Sequence, residues 1–341
     1  MPWSLAEFSK IETDVLRKSV IDTLLMETNI LELIPFETIG QLTTGFVRMQ
    51  DLPSVGFRRV NGSYPEGIGR FEQKVEQIAL MGGNIDTDKA IARAKNTVGD
   101  ARAIQQQMML KAMAYRYNYA FINGDPAVPD PTWTQGTLGD ARSVGGGAPF
   151  KGLHIRTTEA HAETGAQIIT SDAGYILNEA NWHDFLDELD ELIYAVAGHQ
   201  PDYLLMNRRT LLALRSILRR ARLLDTTKDM FDRRVDVYQG CRLIDMGSAL
   251  LRTNPDASPE EASTWTDIIP VTDGASRIYA VKFGVGDLTW GIAEYPLEVE
   301  DLGMLKEKPV YRTMVDFPCG LATVDPRSVA RLDNVTLVSG S

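Results

Sequence analysis

The chain has 341 residues, 44% apolar and 24% charged, which is enough to bury a sizeable core and argues against general disorder. Its formal charge of −11 argues against a protein whose task is gripping nucleic acid, since phosphate neutralisation needs a basic surplus. Only two cysteines, Cys241 and Cys319, are present, which excludes a disulfide framework and a cysteine-rich zinc site and suits a reducing compartment. No stretch approaches the roughly 20 apolar residues of a membrane span, and the opening Met1-Pro2-Trp3-Ser4 lacks the pattern of an export signal. A soluble, unexported chain is expected, with two domains or one domain bearing large excursions.

Residues 1–43 read as an arm. Leu5, Phe8, Ile11, Val15, Leu24, Leu25, Leu31 and Ile34 recur at helical spacing, Ser4 and Glu7 form a candidate capping box, and Pro35 and Gly40 break the pattern. So few apolar positions cannot form a core alone, so the arm must pack on the rest of the chain or on a neighbour. Residues 44–85 change to a period of two. Arg70, Glu72, Lys74 and Glu76 share one face of a strand, and Phe71, Gln73, Val75 and Gln77 share the other. The turn-rich segment 61–69 joins this strand to its partner, Phe46–Asp51, in a long ribbon without an obvious hydrophobic face. A lone hairpin is marginal in water, which points to a partner on another subunit. Arg58, Arg59, Arg70, Glu72, Lys74 and Glu76 are the candidate residues for ion pairs between subunits.

Residues 86–152 hold the strongest helical signal, Thr97 to Ile122, with Val98, Ala101, Ile104, Met108, Ala112, Tyr115, Tyr119 and Ile122 as its stripe. Asn123-Gly124-Asp125-Pro126 ends it, and a loop containing Gly145-Gly146-Gly147 follows. The segment 153–291 reads as α/β, with helices at Trp182–Ala197 and Arg208–Arg222. Strands are expected at Asp202–Met206, Arg242–Asp245, Arg277–Phe283 and Leu288–Ile292. From 292 to 341 the pattern is again extended.

Enzymatic motifs are missing from the sequence: there is no GxSxG, GxxxxGK[ST] or HExxH, and Gly284-Val285-Gly286 is followed by Thr289 where a dinucleotide fingerprint needs glycine. His183 and Asp187 share a helix face but lack further convergent ligands. Asp51, Glu72 and Lys74 are a loose match to the carboxylate-plus-lysine set of metal-dependent nucleases, better explained by alternating charge on a strand. The cluster Arg208, Arg209, Arg215, Arg219, Arg220 and Arg222 suits phosphate contact less well than pairing with a carboxylate face such as that of the 182–197 helix, within or between subunits. No catalytic, cofactor-binding or metal residue is assigned.

Several strings resemble the Hong Kong 97-type major capsid family of tailed bacteriophages. These are Phe150-Lys151-Gly152-Leu153, Asp202-Tyr203-Leu204-Leu205-Met206-Asn207-Arg208-Arg209, Val237-Tyr238-Gln239-Gly240-Cys241-Arg242-Leu243-Ile244, Ile278-Tyr279-Ala280-Val281-Lys282-Phe283-Gly284 and Gly320-Leu321-Ala322-Thr323-Val324-Asp325-Pro326. Their order is similar to that family's from about residue 20 to 337. The resemblance implies an α+β fold with an N-terminal arm (1–43), an extended β-ribbon (44–85), a spine helix and the first part of a peripheral domain (86–152), an axial domain (153–291) and return strands of the peripheral domain (292–341).

It also implies self-assembly into hexamers and pentamers of an icosahedral shell enclosing double-stranded DNA without sequence-specific binding, formed in the host cytoplasm. The implied partners are a separate scaffolding protein, since only about 40 residues precede the ribbon, a portal, and optionally a decoration protein. Some family members crosslink through Lys and Asn, but Lys74 and Asn334 cannot be placed in register for that chemistry. The alternatives are an encapsulin-type compartment with the same fold and, from another class, a soluble metal-dependent hydrolase or nuclease.

Overall fold

A computed structural model describes residues 3–4, 29–90, 101–128, 148–223, 225–228, 234–252 and 263–338. The helices expected over residues 5–28, the Thr97–Asp100 start of the spine helix and the Gly145-Gly146-Gly147 loop lie outside them.

In chain order, the first elements are β1 (Trp3–Ser4), the short helix α1 (Asn29–Leu33) and β2 (Pro35–Thr38). The ribbon strands β3 (Thr43–Asp51) and β4 (Arg70–Gln77) come next, then β5 (Ala79–Asp88) and the spine helix α2 (Ala101–Asn123). The α/β segment comprises α3 (Leu153–Thr164), β6 (Ile168–Thr170), α4 (Trp182–Ala195), β7 (Tyr203–Met206), α5 (Arg208–Ala221), β8 (Asp225–Lys228), β9 (Arg234–Tyr238) and β10 (Cys241–Asp245). The hairpin of β11 (Ser248–Arg252) and β12 (Ser263–Asp267) precedes β13 (Ala275–Val281), β14 (Thr289–Ala293), β15 (Glu298–Met304), β16 (Val310–Thr323) and β17 (Val329–Thr336).

Two sheets organise these parts. The first has the order β1-β2-β14-β16-β15, with β5 on the other flank of the 14-residue β16. The second has seven strands in the order β6-β17-β13-β7-β10-β9-β8. In β7, Leu204 and Met206 turn toward α4 and α5, whereas Leu205 turns toward the core that holds the spine helix. A strand buried on both faces must be apolar throughout, as Leu204-Leu205-Met206 is. The Asn expected to end this strand caps α5: the Asn207 side chain accepts from the Arg209 N–H at 2.8 Å and donates to the Ile269 carbonyl at 2.7 Å.

Four differences from the sequence expectations have physical causes. The arm's described residues turn inward, with Ile30, Leu31, Ile34 and Phe36 buried in the chain's own core, and Pro35–Thr38 runs as a strand beside β14. The buried stripe of the spine helix is Leu110, Met113, Ala114, Tyr117 and Phe121, while Ile104, Met108 and Ala112 are exposed. These three lie on the solvent side of the helix, whereas Arg102 on the packed side donates to Thr313 of β16, so the apolar period there does not mark the packed face. The Ala79–Asp88 segment, expected up to residue 85 as part of the extended ribbon, instead pairs along β16 over ten residues, Gly82-Gly83 included. Finally, β17, expected among the return strands after residue 292, lies between β13 and β6 in the seven-stranded sheet, beside strands of the 153–291 segment.

One further helix, α3, has no counterpart among the expected elements. It begins where the end of the spine helix meets Gly152: the Gly152 N–H donates to the Gly124 carbonyl at 2.8 Å. A side-chain carbon at Gly152 would lie 2.6 Å from the Gly124 nitrogen and the Ile122 oxygen, so only glycine admits this approach. Helix α3 then ends at Gly165, in the left-handed region at φ 74°.

Candidate functional site

The ribbon pairs Thr43 with Gln77 through Met49 with Phe71, then shifts register before Asp51 meets Arg70. Alternation along β4 puts Glu72, Lys74 and Glu76 on the side facing the body, where they are half-buried. The opposite side carries Val47, Met49, Phe71 and Val75, which are 59–71% exposed. The ribbon therefore has an apolar face after all, and it points away from the protein. Past the paired strands, Leu52, Val55, Phe57, Val60, Tyr64 and Ile68 are also exposed, Phe57 completely.

The charged side is fastened to α3. Arg48 reaches Glu72 and Glu163, each at 2.8 Å, and Lys74 lies 3.2 Å from Glu72 and 3.4 Å from Glu163. Two cations and two carboxylates thus neutralise one another across ribbon and helix. Arg48, and then Lys74, hold the Glu72 carboxyl below the ordinary carboxylate range, since both favour its charged form. Nearer the base, Arg156 is buried and forks onto Glu76 at 2.9 and 3.1 Å. Its Nε donates to the Lys151 carbonyl at 3.0 Å, and its Nη2 also donates to the Leu321 carbonyl. A guanidinium with four of its five N–H donors engaged fixes the ribbon's angle of departure. Phe46 packs on Trp290 at 6.2 Å between ring centroids, and Ile78 is buried at the root.

Of the six residues proposed from sequence for contacts between subunits, Glu72, Lys74 and Glu76 are thus engaged within the chain. Arg58, Arg59 and Arg70 are exposed: Arg58 lies 5.0 Å from the centroid of the Tyr64 ring, the Arg59 carbonyl accepts from the Gly62 N–H in the tip turn, and Arg70 faces Asp51. Sequence reasoning missed Arg48, Arg156 and Glu163. Their signal is opposite charge to the ribbon's face, but nothing in spacing connects residue 156 or 163 to residue 76 or 72.

The enzymatic alternatives gain no metal centre: among the described residues no three His, Cys, Asp or Glu side chains converge on a common point. Asp51 stands at the far end of the paired strands, away from Glu72's ion pairs with Arg48 and Lys74. His183 and Asp187 line an open cleft instead, in which the Tyr238 hydroxyl donates to Asp190 at 2.7 Å. Burial, and then this bond, raise the Tyr238 hydroxyl's pKa well above its ordinary value. Among the described residues no helix is long and apolar enough to cross a membrane.

No protein-family model matches the sequence, and no curated protein matches it. Solved structures do. A chain of the holo-SrpI encapsulin complex from Synechococcus elongatus PCC 7942 is 15% identical, with a TM-score of 0.57 over 92% of this chain and 89% of that one. A chain from Microbacterium phage Oxtober96 is 13% identical, with a TM-score of 0.54 over 89% and 90%. The capsid of a native GTA particle is 12% identical, with a TM-score of 0.53 over 92% and 90%. Arm, ribbon, spine helix and the two sheets are together the α+β Hong Kong 97-type capsid fold.

Proposed function

We propose that this chain is the major capsid protein of a tailed phage, assembling into the hexamers and pentamers of a closed shell around double-stranded DNA. The observation that carries this reading is the ribbon, whose apolar face and tip are turned to water while its charged face is held against the body. Exposed apolar patches on this scale mark interaction surfaces. Covering them on a neighbour gains about 25 cal/mol per Å². Each copy offers one ribbon and covers another, a head-to-tail contact that closes into rings. Arg58, Arg59 and Arg70 then reach carboxylates of the neighbour, whereas Glu72, Lys74 and Glu76 contribute by setting the ribbon's direction. The charge of −11 supports DNA as the contents, because such a wall lies close to DNA without adhering. A separate scaffolding protein, a portal and an optional decoration protein complete the set of partners, with assembly in the host cytoplasm.

Sedimentation of the full chain, followed by negative-stain microscopy, tests the shell. Closed megadalton particles are expected, and a chain that stays small even with its scaffolding partner would refute it. Reversing Arg58 and Arg59 to Glu is expected to abolish particles while the monomer stays folded, and normal particles from that variant would remove the two arginines from the contact. A second reading, an enzyme-filled compartment, draws on the similarity to an encapsulin. Nuclease-protected DNA inside the particles favours the phage, and a co-purifying protein cargo favours the compartment.

A further inference from the structure

Helices α4 and α5 cover the same face of the seven-stranded sheet, and they carry opposite charge. The α4 span holds five carboxylates, Asp184, Asp187, Glu188, Asp190 and Glu191, and no lysine or arginine. Residues 208–222 hold six arginines and no carboxylate. Within the chain these two sets do not neutralise each other. Arg215 pairs with Asp236 on β9, Glu188 accepts from the Asp172 and Ala173 backbone, and Asp190 accepts from Tyr238 and Gln239. Asp184, Asp187 and Glu191 remain exposed, as do Arg208, Arg209, Arg219, Arg220 and Arg222, and among the described residues none of these eight forms an ion pair.

Resting on the shell reading, we infer that the α4 face of one copy docks on the α5 face of the next, acid against base, as a second ring contact separate from the ribbon. Each stripe follows helical spacing and carries one exposed apolar side chain. Arg208, Leu212, Arg215, Arg219 and Arg222 run along α5, and Asp184, Asp187, Glu191 and Tyr194 run along α4, with Leu212 and Tyr194 exposed. Exposed apolar side chains set among charges give such a contact area to bury as well as charge to match.

The acidic side also has a receptor for a long cationic side chain. A cleft of about 310 Å³ is walled by Leu186, Leu223 and Tyr238 and edged by Asp187 and Asp190. Its apolar wall suits the methylenes of an arginine and its carboxylates suit the guanidinium. The occupant is a second copy of this chain, because the complementary surface lies on the chain itself. Copies with a charge of −11 repel unless opposite charges are juxtaposed where they meet.

The test uses the full chain under conditions in which the wild type forms particles. Three variants are compared: Asp187→Arg with Glu191→Arg, Arg219→Glu with Arg222→Glu, and one chain carrying all four changes. Each double reversal is expected to lower the sedimenting fraction by about tenfold or more, with monomer melting unchanged. The fourfold variant, acid and base exchanged, is expected to restore it. Mixing the two double variants is expected to restore alternating rings of even number only, so hexamers return and pentamers do not.

The inference is overturned if either double variant assembles as the wild type does, or if the fourfold variant stays as impaired as its parents. It is overturned equally if the Arg219/Arg222 variant forms normal particles that have lost nucleic acid, which would assign those arginines to phosphate. A wild type that never assembles refutes the shell reading itself, and this inference with it.

Discussion

Strands β4 and β7 follow the same rule of alternation and reach opposite results. In β7, Leu204, Leu205 and Met206 are buried from both sides, and every apolar side chain meets another from the same chain. In β4, Phe71 and Val75 face water, while Glu72, Lys74 and Glu76 take the sheltered side. The seven-stranded sheet is complete within one chain. The charged face of β4 is satisfied by its own chain while Phe71 and Val75 stay open, which is the division the proposed shell requires of a part aimed by one molecule and covered by another.

The contrast can be broken by substitution. Leu204→Ala is expected to cost about 4 kcal/mol in urea unfolding, because the side chain is wholly buried and the cavity cannot collapse between two helices. A loss below about 1 kcal/mol would mean the sheet is not the rigid half of the pair. Arg156→Ala is expected to cost about 3 kcal/mol and to raise hydrogen exchange through β3 and β4, since it strands Glu76 against the body without its partner. Unfolding that shifts without a change in ribbon exchange would separate Arg156 from the ribbon's attachment.

Acidification sharpens the comparison further. The folded Glu72 carboxyl titrates below its ordinary 4.5, so its contribution is complete above that value and is lost as pH falls through the lower folded value. Ribbon exchange is expected to rise in that acidic window before the seven-stranded sheet yields, and Glu72→Gln should remove the transition. Phe71→Ser stands last, with stability unchanged within about 0.5 kcal/mol although a large apolar side chain is lost. A greater cost would show that the outer face is already packed within the monomer.

The sequence made the order of parts legible because each strong element repeats one clear period. Helices α4 and α5 and strands β7, β10, β13 and β14 lie within two residues of their expected bounds. Helix α3 was not legible, for its core-facing side includes Arg156 and Thr157 beside Leu153 and Ala160, and a buried arginine reads as surface in any periodicity. For the same reason the two faces of β4 were separable by alternation but could not be oriented. The charged face read as one that meets a neighbouring subunit, and the guanidinium of Arg156 and the Arg48–Glu163 pair turn it onto its own chain. The spine helix was misaligned in its first turns, where Ile104 and Met108 continue an apolar period on the solvent side and the polar Arg102 takes the packed side.

The forked pair of Arg156 and Glu76 is also the fulcrum of a lever. At about 3.3 Å per residue, the strand from Glu76 out to Arg70 is a rigid arm of roughly 20 Å. A tilt of ~10° at the fulcrum therefore displaces Arg70 by ~3.5 Å, most of the spacing between neighbouring strands, and displaces Phe57 beyond it further. In the proposed shell, a single buried fork would limit the angles at which successive copies meet, and a closed surface of many copies would inherit its curvature from that tolerance.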